Sequence, residues 1–208
     1  SPFRTAPSHP FGTGFPDGHG PPTPAASLSH QAERNKIHAD ANRLIKTPAP
    51  KVPVAHLRSG TALRPDGTGA HSSPLGNEHF ASLKAGSREQ LVWMQNAEPI
   101  SLYCADEEDG ESLRVCEQMT ESLLAYKVGG TAVEPSLAEK YEANADLTEW
   151  TFHLRQGVKF HDGSAFDAND VVASYAVQWD AANPLHKGRT GTFTYFNSLF
   201  GAFLNAPK

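Results

Sequence analysis

Residues 151–179 read TFHLRQGVKFHDGSAFDANDVVASYAVQW, and they divide into a strand, a turn and a capped helix. Trp150, Phe152 and Leu154 alternate with Thr151, His153 and Arg155, the period of a half-buried strand. Val158 and Phe160 continue the alternation beyond Gly157, and Asp162-Gly163 is a turn dipeptide. Asp167 stands three residues before Asp170 and ahead of an apolar run, a variant of the capping-box pattern. Beyond it Val171, Val172, Tyr175, Ala176 and Trp179 fall on one helical face, which predicts a buried stripe. With Trp150 and Phe152 also in a core, truncating either to Ala is expected to cost about 3–5 kcal/mol.

The stretch holds no catalytic constellation. A nucleophile or base needs an orienting partner. His153 and Arg155 share the strand face opposite Trp150 and Leu154, and His161-Asp162 leads into the turn near Asp167. No GxSxG, HExxH or phosphate-binding loop occurs anywhere in the chain. We therefore expect no enzymatic activity and no cofactor.

What the stretch carries is a scaffold signature. WTFHLRQGVKFHDGSAFDANDVVASYAVQWDAANPLHKG, from Trp150 onward, resembles the solute-binding proteins of ABC importers for peptides, dipeptides and nickel, the family 5 extracellular type. The preceding TAVEPSLAEKYEANADLTEW and the following TYFNSLFG extend the resemblance over residues 90–205, the start of that family's first lobe. It implies a mixed α/β fold, a type II periplasmic-binding-protein lobe that is incomplete here. It also implies a role outside the cytoplasm, at the periplasmic or extracellular face of the membrane.

The bulk composition is that of a folded chain. The 208 residues suffice for a real core, and a net charge of −5 offers no basic stripe to neutralise phosphates, so no nucleic-acid partner is expected. No run of 18 apolar residues is present. The chain does not start with Met and shows no export signal; the family's greater usual length favours a piece of a longer protein over a processed one. Cys104 and Cys116 are either two unrelated buried thiols or a short-loop disulfide, which the family's location outside the cytoplasm favours. These two alone do not make a metal site.

Upstream, residues 1–31 are dense in Pro, Gly, Ser and His and are expected to form a disordered arm. Residues 32–45 have helical composition with Ile37, Ala41, Leu44 and Ile45 on one face, stopped by Pro48 and Pro50. Val52–Ala55 is a strand candidate, and Asp66-Gly67 a turn. ANRLIK, VPVAHLRSGTALR and SPLGNEHF, within 32–84, bear a looser resemblance to the C-terminal end of the same family, here placed ahead of its head. Chain ends within a domain often lie close together. The expected organisation is thus a permuted or tandem-fused chain, joined at residues 85–88, with 85–208 as the first-lobe segment. Contact between 32–83 and 90–205 is a requirement of that arrangement.

Downstream, Gln90–Met94 is a strand candidate, residues 111–126 a helix ending before Gly129-Gly130, and Leu137–Tyr141 a short helical turn. Asp106, Glu107, Glu108 and Asp109 form an acidic run, readable as a solvated loop or as part of a cleft wall that meets a peptide's amino end. By the resemblance, the ligand-facing parts are Glu107, Glu108 and Asp109 and the segment Asn183-Pro184-Leu185, with Tyr195 nearby. Many family members carry an aromatic where Leu185 stands, so stacking is lost there. The implied partners are a short peptide or other small solute and the importer's membrane subunits, through which the protein is peripheral to the membrane. Two alternatives stand beside this: a structural or interaction lobe that binds no ligand alone, since the second lobe is mostly missing, and a His-mediated nickel binder, since the chain has ten histidines.

Overall fold

The computed structural model describes residues 28–46, 54–55, 60–76 and 78–206. These divide into two compact units, the described residues of Ser1–Arg58 with Glu142–Thr151, and those of Ser59–Tyr141 with Phe152–Lys208. Helix α1 spans Gln31–Lys46, as its composition predicts. Asp40 accepts from Lys36 and Arg43, four residues before and three after it. Ala41 is buried, and the side chains of Leu44 and Ile45 lie outside the described ones. The Pro- and His-rich arm up to residue 27 lies outside the described residues, as do Val52 and Pro53 of the strand candidate.

Among the described residues the rest is built from four short strands and three further helices: α2 (Gly110–Met119), β1 (Leu124–Tyr126), β2 (Val133–Pro135), β3 (Ala138–Ala143), β4 (Trp150–Leu154), α3 (Ala168–Trp179) and α4 (Thr194–Phe200). The mixed α/β class is the expected one. β1 and β2 pair antiparallel with Leu124 opposite Pro135 and Tyr126 opposite Val133, and β3 pairs with β4. The β3–β4 connection is closed by Asn144, whose Oδ1 accepts the N–H groups of Thr148 and Glu149. β4 spans Trp150–Leu154, within the expected alternation; past Gly157 the pattern does not continue as a strand, only as an isolated bridge between Lys159 and Ala165, and the ring of Phe152 stacks with that of Tyr141 at 6.2 Å. Gly163 takes φ +88 in the predicted turn. Asp167 and Asp170 make a full capping box at the head of α3.

Five further expectations differ from the structure. Residues 90–94 form no strand, because no described backbone pairs with them; Val92 and Met94 are exposed, and Trp93 packs on Phe80 with ring centroids 4.8 Å apart. The helix expected through residue 126 stops at Met119. Thr120 is extended and turns both its N–H and its hydroxyl onto the Cys116 carbonyl, and residues 124–126 then pair as β1. The segment from 138 is strand rather than helical turn, since the Ala138 N–H is taken by the Leu123 carbonyl and the Arg155 N–H by that of Leu137. Finally, α3 buries no residue: Val172 is 66% exposed and Trp179 47%. Nor are Trp150 and Phe152 fully buried, at 49% and 36%, so the core-truncation cost of 3–5 kcal/mol does not apply to them.

The buried apolar groups of the larger unit sit elsewhere. Phe193 and Phe196 are buried, as are Cys116 and Ala138. His186 stacks on Phe193 at 4.5 Å, while Phe203 and Tyr103 meet that ring edge-on. α4 packs against the single turn Cys104–Asp106. That contact positions the site.

Candidate ligand-binding site

The acidic loop is anchored from below. A disulfide joins Cys104 to Cys116 of α2. Asp109 caps the same helix, its Oδ1 accepting the Ser112 N–H at 2.9 Å. Ser112 is wholly buried, and its Oγ accepts the Ile100 N–H at 2.8 Å. The backbone from 100 to 112 is thereby fixed to one helix end.

From above it grips a loop more than eighty residues away. Asp106 Oδ2 accepts the N–H groups of Thr190 at 2.6 Å and Gly191 at 2.9 Å; Oδ1 accepts the Thr190 hydroxyl at 2.8 Å and the Phe193 N–H at 2.9 Å. Successive backbone amides folded around a carboxylate form an anion nest. Burial opposes the charge on Asp106, yet the donors from Phe193, Thr190 and Gly191 outweigh it and hold the carboxyl at about 2. Gly188 is required by this approach, because a Cβ there would stand 2.2 Å from Asp106 Oδ2. Phe193 takes φ +41, a left-handed conformation costly for a bulky residue; its buried ring and its bond to Asp106 keep it there.

Glu107 makes the second grip. It is 1% exposed, and Arg189 meets it as a fork, Nε at 3.0 and 3.2 Å from the two oxygens and Nη2 at 2.9 Å from Oε2. The planar guanidinium matches the carboxylate on two bonds while its own outer side reaches solvent. That hydrogen bond, with the charges of Glu107, Asp106 and Asp109, raises the Arg189 pKa still further.

Of the residues expected to face ligand, Glu107 is thus consumed by Arg189, while Glu108 is exposed. Asp109 spends one oxygen on the cap; its Oδ2 is buried and accepts no hydrogen bond among the described residues. Burial pushes its carboxyl up, but the Ser112 N–H bond brings it below the ordinary value. Leu185 sits on an Asx turn made by Asn183 Oδ1 and is 67% exposed. Tyr195, in the first turn of α4, is 52% exposed, whereas Phe196 beside it is buried. The acidic run is therefore no solvated loop at Asp106 and Glu107. The two segments that carry the candidate residues, 104–109 and 183–195, are knitted together by Asp106 and Glu107. Gly188, Arg189, Thr190 and Phe193 were not singled out from the sequence, and Asp106 only as a member of the acidic run; the available signal was a Gly-Arg-Thr-Gly run at 188–191 with donors to offer an acidic loop. Among the described residues no group of three or more His, Cys, Asp or Glu is placed to hold a metal ion.

Residues 132–194 match the profile of the family described as Bacterial extracellular solute-binding proteins, family 5 Middle. This segment is similar to family 5 solute-binding sequence. It runs through β3, β4 and α3 to the gripped loop, so the resemblance read from residues 150–179 lies within it. The chain is 45% identical over 83 residues to the dipeptide-binding protein of Escherichia coli, covering 37% of this chain and 16% of that one. It is 35% identical over 123 residues to heme-binding protein A of Haemophilus influenzae, covering 56% and 22%. A solved periplasmic binding protein associated with an ABC transporter of Helicobacter pylori, in complex with a peptide, aligns at 28% identity and a TM-score of 0.46, over 51% of this chain and 22% of that one. The chain thus spans between 16% and 22% of these relatives' lengths. No helix among the described residues is long and apolar enough to cross a membrane.

Proposed function

We propose that this chain is part of the substrate-binding component of an ABC-type importer. It captures short peptides or related solutes at the periplasmic or extracellular face and passes them to the importer's membrane subunits. It performs no chemistry on them. The observation that carries this is the family 5 match over residues 132–194, reinforced by relatives whose names specify dipeptides. The ligand would meet the rim formed by Glu107–Asp109 and Leu185 with Tyr195. There Glu108, Leu185 and Tyr195 offer exposed groups, and Glu107 acts through Arg189 by holding the two segments in register.

A second reading has its own support. Val172, Tyr175 and Trp179 on α3 and Leu199 and Phe200 on α4 are all exposed, as expected of a lobe whose covering surface lies in another stretch of chain. Such a lobe presents one wall of a cleft and binds weakly alone. A tryptophan-fluorescence melt with and without pooled di- to hexapeptides, and with heme in a parallel sample, separates the two. A melt raised by peptide supports capture on this chain, through linkage of binding to stability. A cooperative melt that neither pool moves refutes capture and favours the incomplete lobe.

A further inference from the structure

Residues 88–92, Arg-Glu-Gln-Leu-Val, are all exposed, Val92 at 80%. They belong to no strand or helix, and none of their backbone groups takes part in a hydrogen bond among the described residues. Both ends of the segment are fastened. Before it, Thr68 and Lys84 exchange backbone hydrogen bonds of 3.2 and 2.9 Å, and the Ser87 hydroxyl donates to the Asp66 carboxylate at 3.1 Å. After it, Trp93 packs on Phe80 with ring centroids 4.8 Å apart, and Gln95 accepts from Arg114 at 3.4 Å.

The chain on the two sides is joined by other contacts. Arg114 donates from Nε to Glu78 and from Nη2 to the Gly76 carbonyl, both at 2.9 Å. Gln118 donates to the Glu78 carbonyl and accepts the Phe80 N–H, again at 2.9 Å. Glu78 is buried there. His71 lies against Gly129, where a Cβ would stand 3.6 Å from its own. In the smaller unit, the described residues of Ser1–Arg58 group with Glu142–Thr151, again from the far side of the segment.

We propose that residues 88–92 are a proteolytic processing segment, cut by endoproteases that bind their substrate as extended chain, and that the product is a two-chain protein with its fold intact. Such a protease holds the substrate through main-chain hydrogen bonds, as an added strand is held. Where those groups already bond within the protein, local opening must come first. Other turns of the larger unit are closed in that way: the Gly130 N–H bonds to the Lys127 carbonyl, the Gly163 N–H to that of Phe160, and residues 190–193 to Asp106. At 88–92 nothing has to open, and exposed segments of this kind are where nicking concentrates. The reaction is hydrolysis of one peptide bond. Water gives its hydroxyl to the carbonyl carbon and a proton to the amide nitrogen, leaving a carboxylate and an ammonium. Cys104–Cys116, Asp106 with its donors and Glu107 with Arg189 all lie beyond the cut, so the candidate ligand rim is untouched. The inference is independent of any ligand.

Brief digestion of the whole chain with subtilisin, a protease of broad specificity, tests it. Fragment masses should place the first cut within residues 60–206 between Arg88 and Trp93. Size exclusion in native buffer should return both pieces in one peak at the position of the uncut chain, and urea should part them. A first cut elsewhere in that range, or pieces that separate without urea, overturns the proposal. Glu89→Pro with Leu91→Pro removes two N–H groups that bond to nothing and blocks the extended pairing a protease needs. This variant should melt with the wild type and lose the cut. A cut that persists, or a melt that collapses, overturns the proposal equally.

Discussion

Asp106→Asn removes one acceptor oxygen from the anion nest and puts an NH2 group in its place. Whichever way the amide turns, backbone donors lose their acceptor, the Thr190 and Gly191 amides in one orientation or the Phe193 amide in the other, and the bonds that remain go to a neutral oxygen. Hydrogen bonds to a charged group contribute about 1.5–3 kcal/mol each, so the variant should lose roughly 3–5 kcal/mol at neutral pH. Part of that loss must depend on pH. The folded carboxyl titrates at about 2 and the unfolded one at 3.8. A depressed folded value stabilises the fold above the unfolded value, and this is lost as pH falls through about 2. The shift is worth about 2 kcal/mol in total, about half of it gone by pH 3. Urea titrations followed by tryptophan fluorescence at pH 7 and pH 3 give both numbers. The wild-type advantage should shrink by about 1 kcal/mol between them. A variant within about 1 kcal/mol of wild type at pH 7, or a gap that does not narrow in acid, refutes the nest as a stabilising element.

Three further outcomes follow from the same geometry. Arg189→Ala strands the buried Glu107 carboxylate and should cost about 3 kcal/mol in urea, with part recovered when Glu107→Gln is added; equal loss in both would remove the charge argument. Replacing both Cys104 and Cys116 by Ser opens a loop with a sequence separation of 12 and should lower stability by about 3 kcal/mol by the loop-entropy estimate, read as a lower urea midpoint than the oxidised chain. Phe152→Ala, at a residue already 36% exposed, should cost about 1–2 kcal/mol by thermal melt, not the 3–5 of a core position.

What was legible from the sequence was local. The Asp167–Asp170 cap, the Asp162-Gly163 turn and the strand at 150–154 depend on residues within a few positions of each other, and the structure shows them as read, although the strand does not run on past Gly157. Strand character at 90–94 was not decided locally, because a strand exists only with a partner backbone. The nest was hidden for a related reason: Asp106 and its donors are 84 to 87 residues apart, and nothing local distinguishes a carboxylate that will be enclosed from one that stays in water. Glu107 and Glu108 are adjacent and identical in type, yet one is sealed against Arg189 and the other open, a difference set wholly by the distant loop.

The stripe on α3 belongs to neither class. Its periodicity was read correctly, and the helix formed where predicted, but the face is only partly covered: Tyr175 meets Phe196 and Phe200 of α4 edge-on, Val171 and Ala176 are half-buried, and Val172 and Trp179 stay exposed. Periodicity specifies which face is suited to burial; only a second surface can bury it. At about 25 cal/mol for each square ångström of apolar area, Val172, Tyr175, Trp179, Leu199 and Phe200 together leave several kcal/mol of burial unrealised. A surface that covered them would stabilise the lobe by a comparable amount before the cost of association. The exposed stripe is therefore a physical argument for the incomplete-lobe reading, made without reference to any relative.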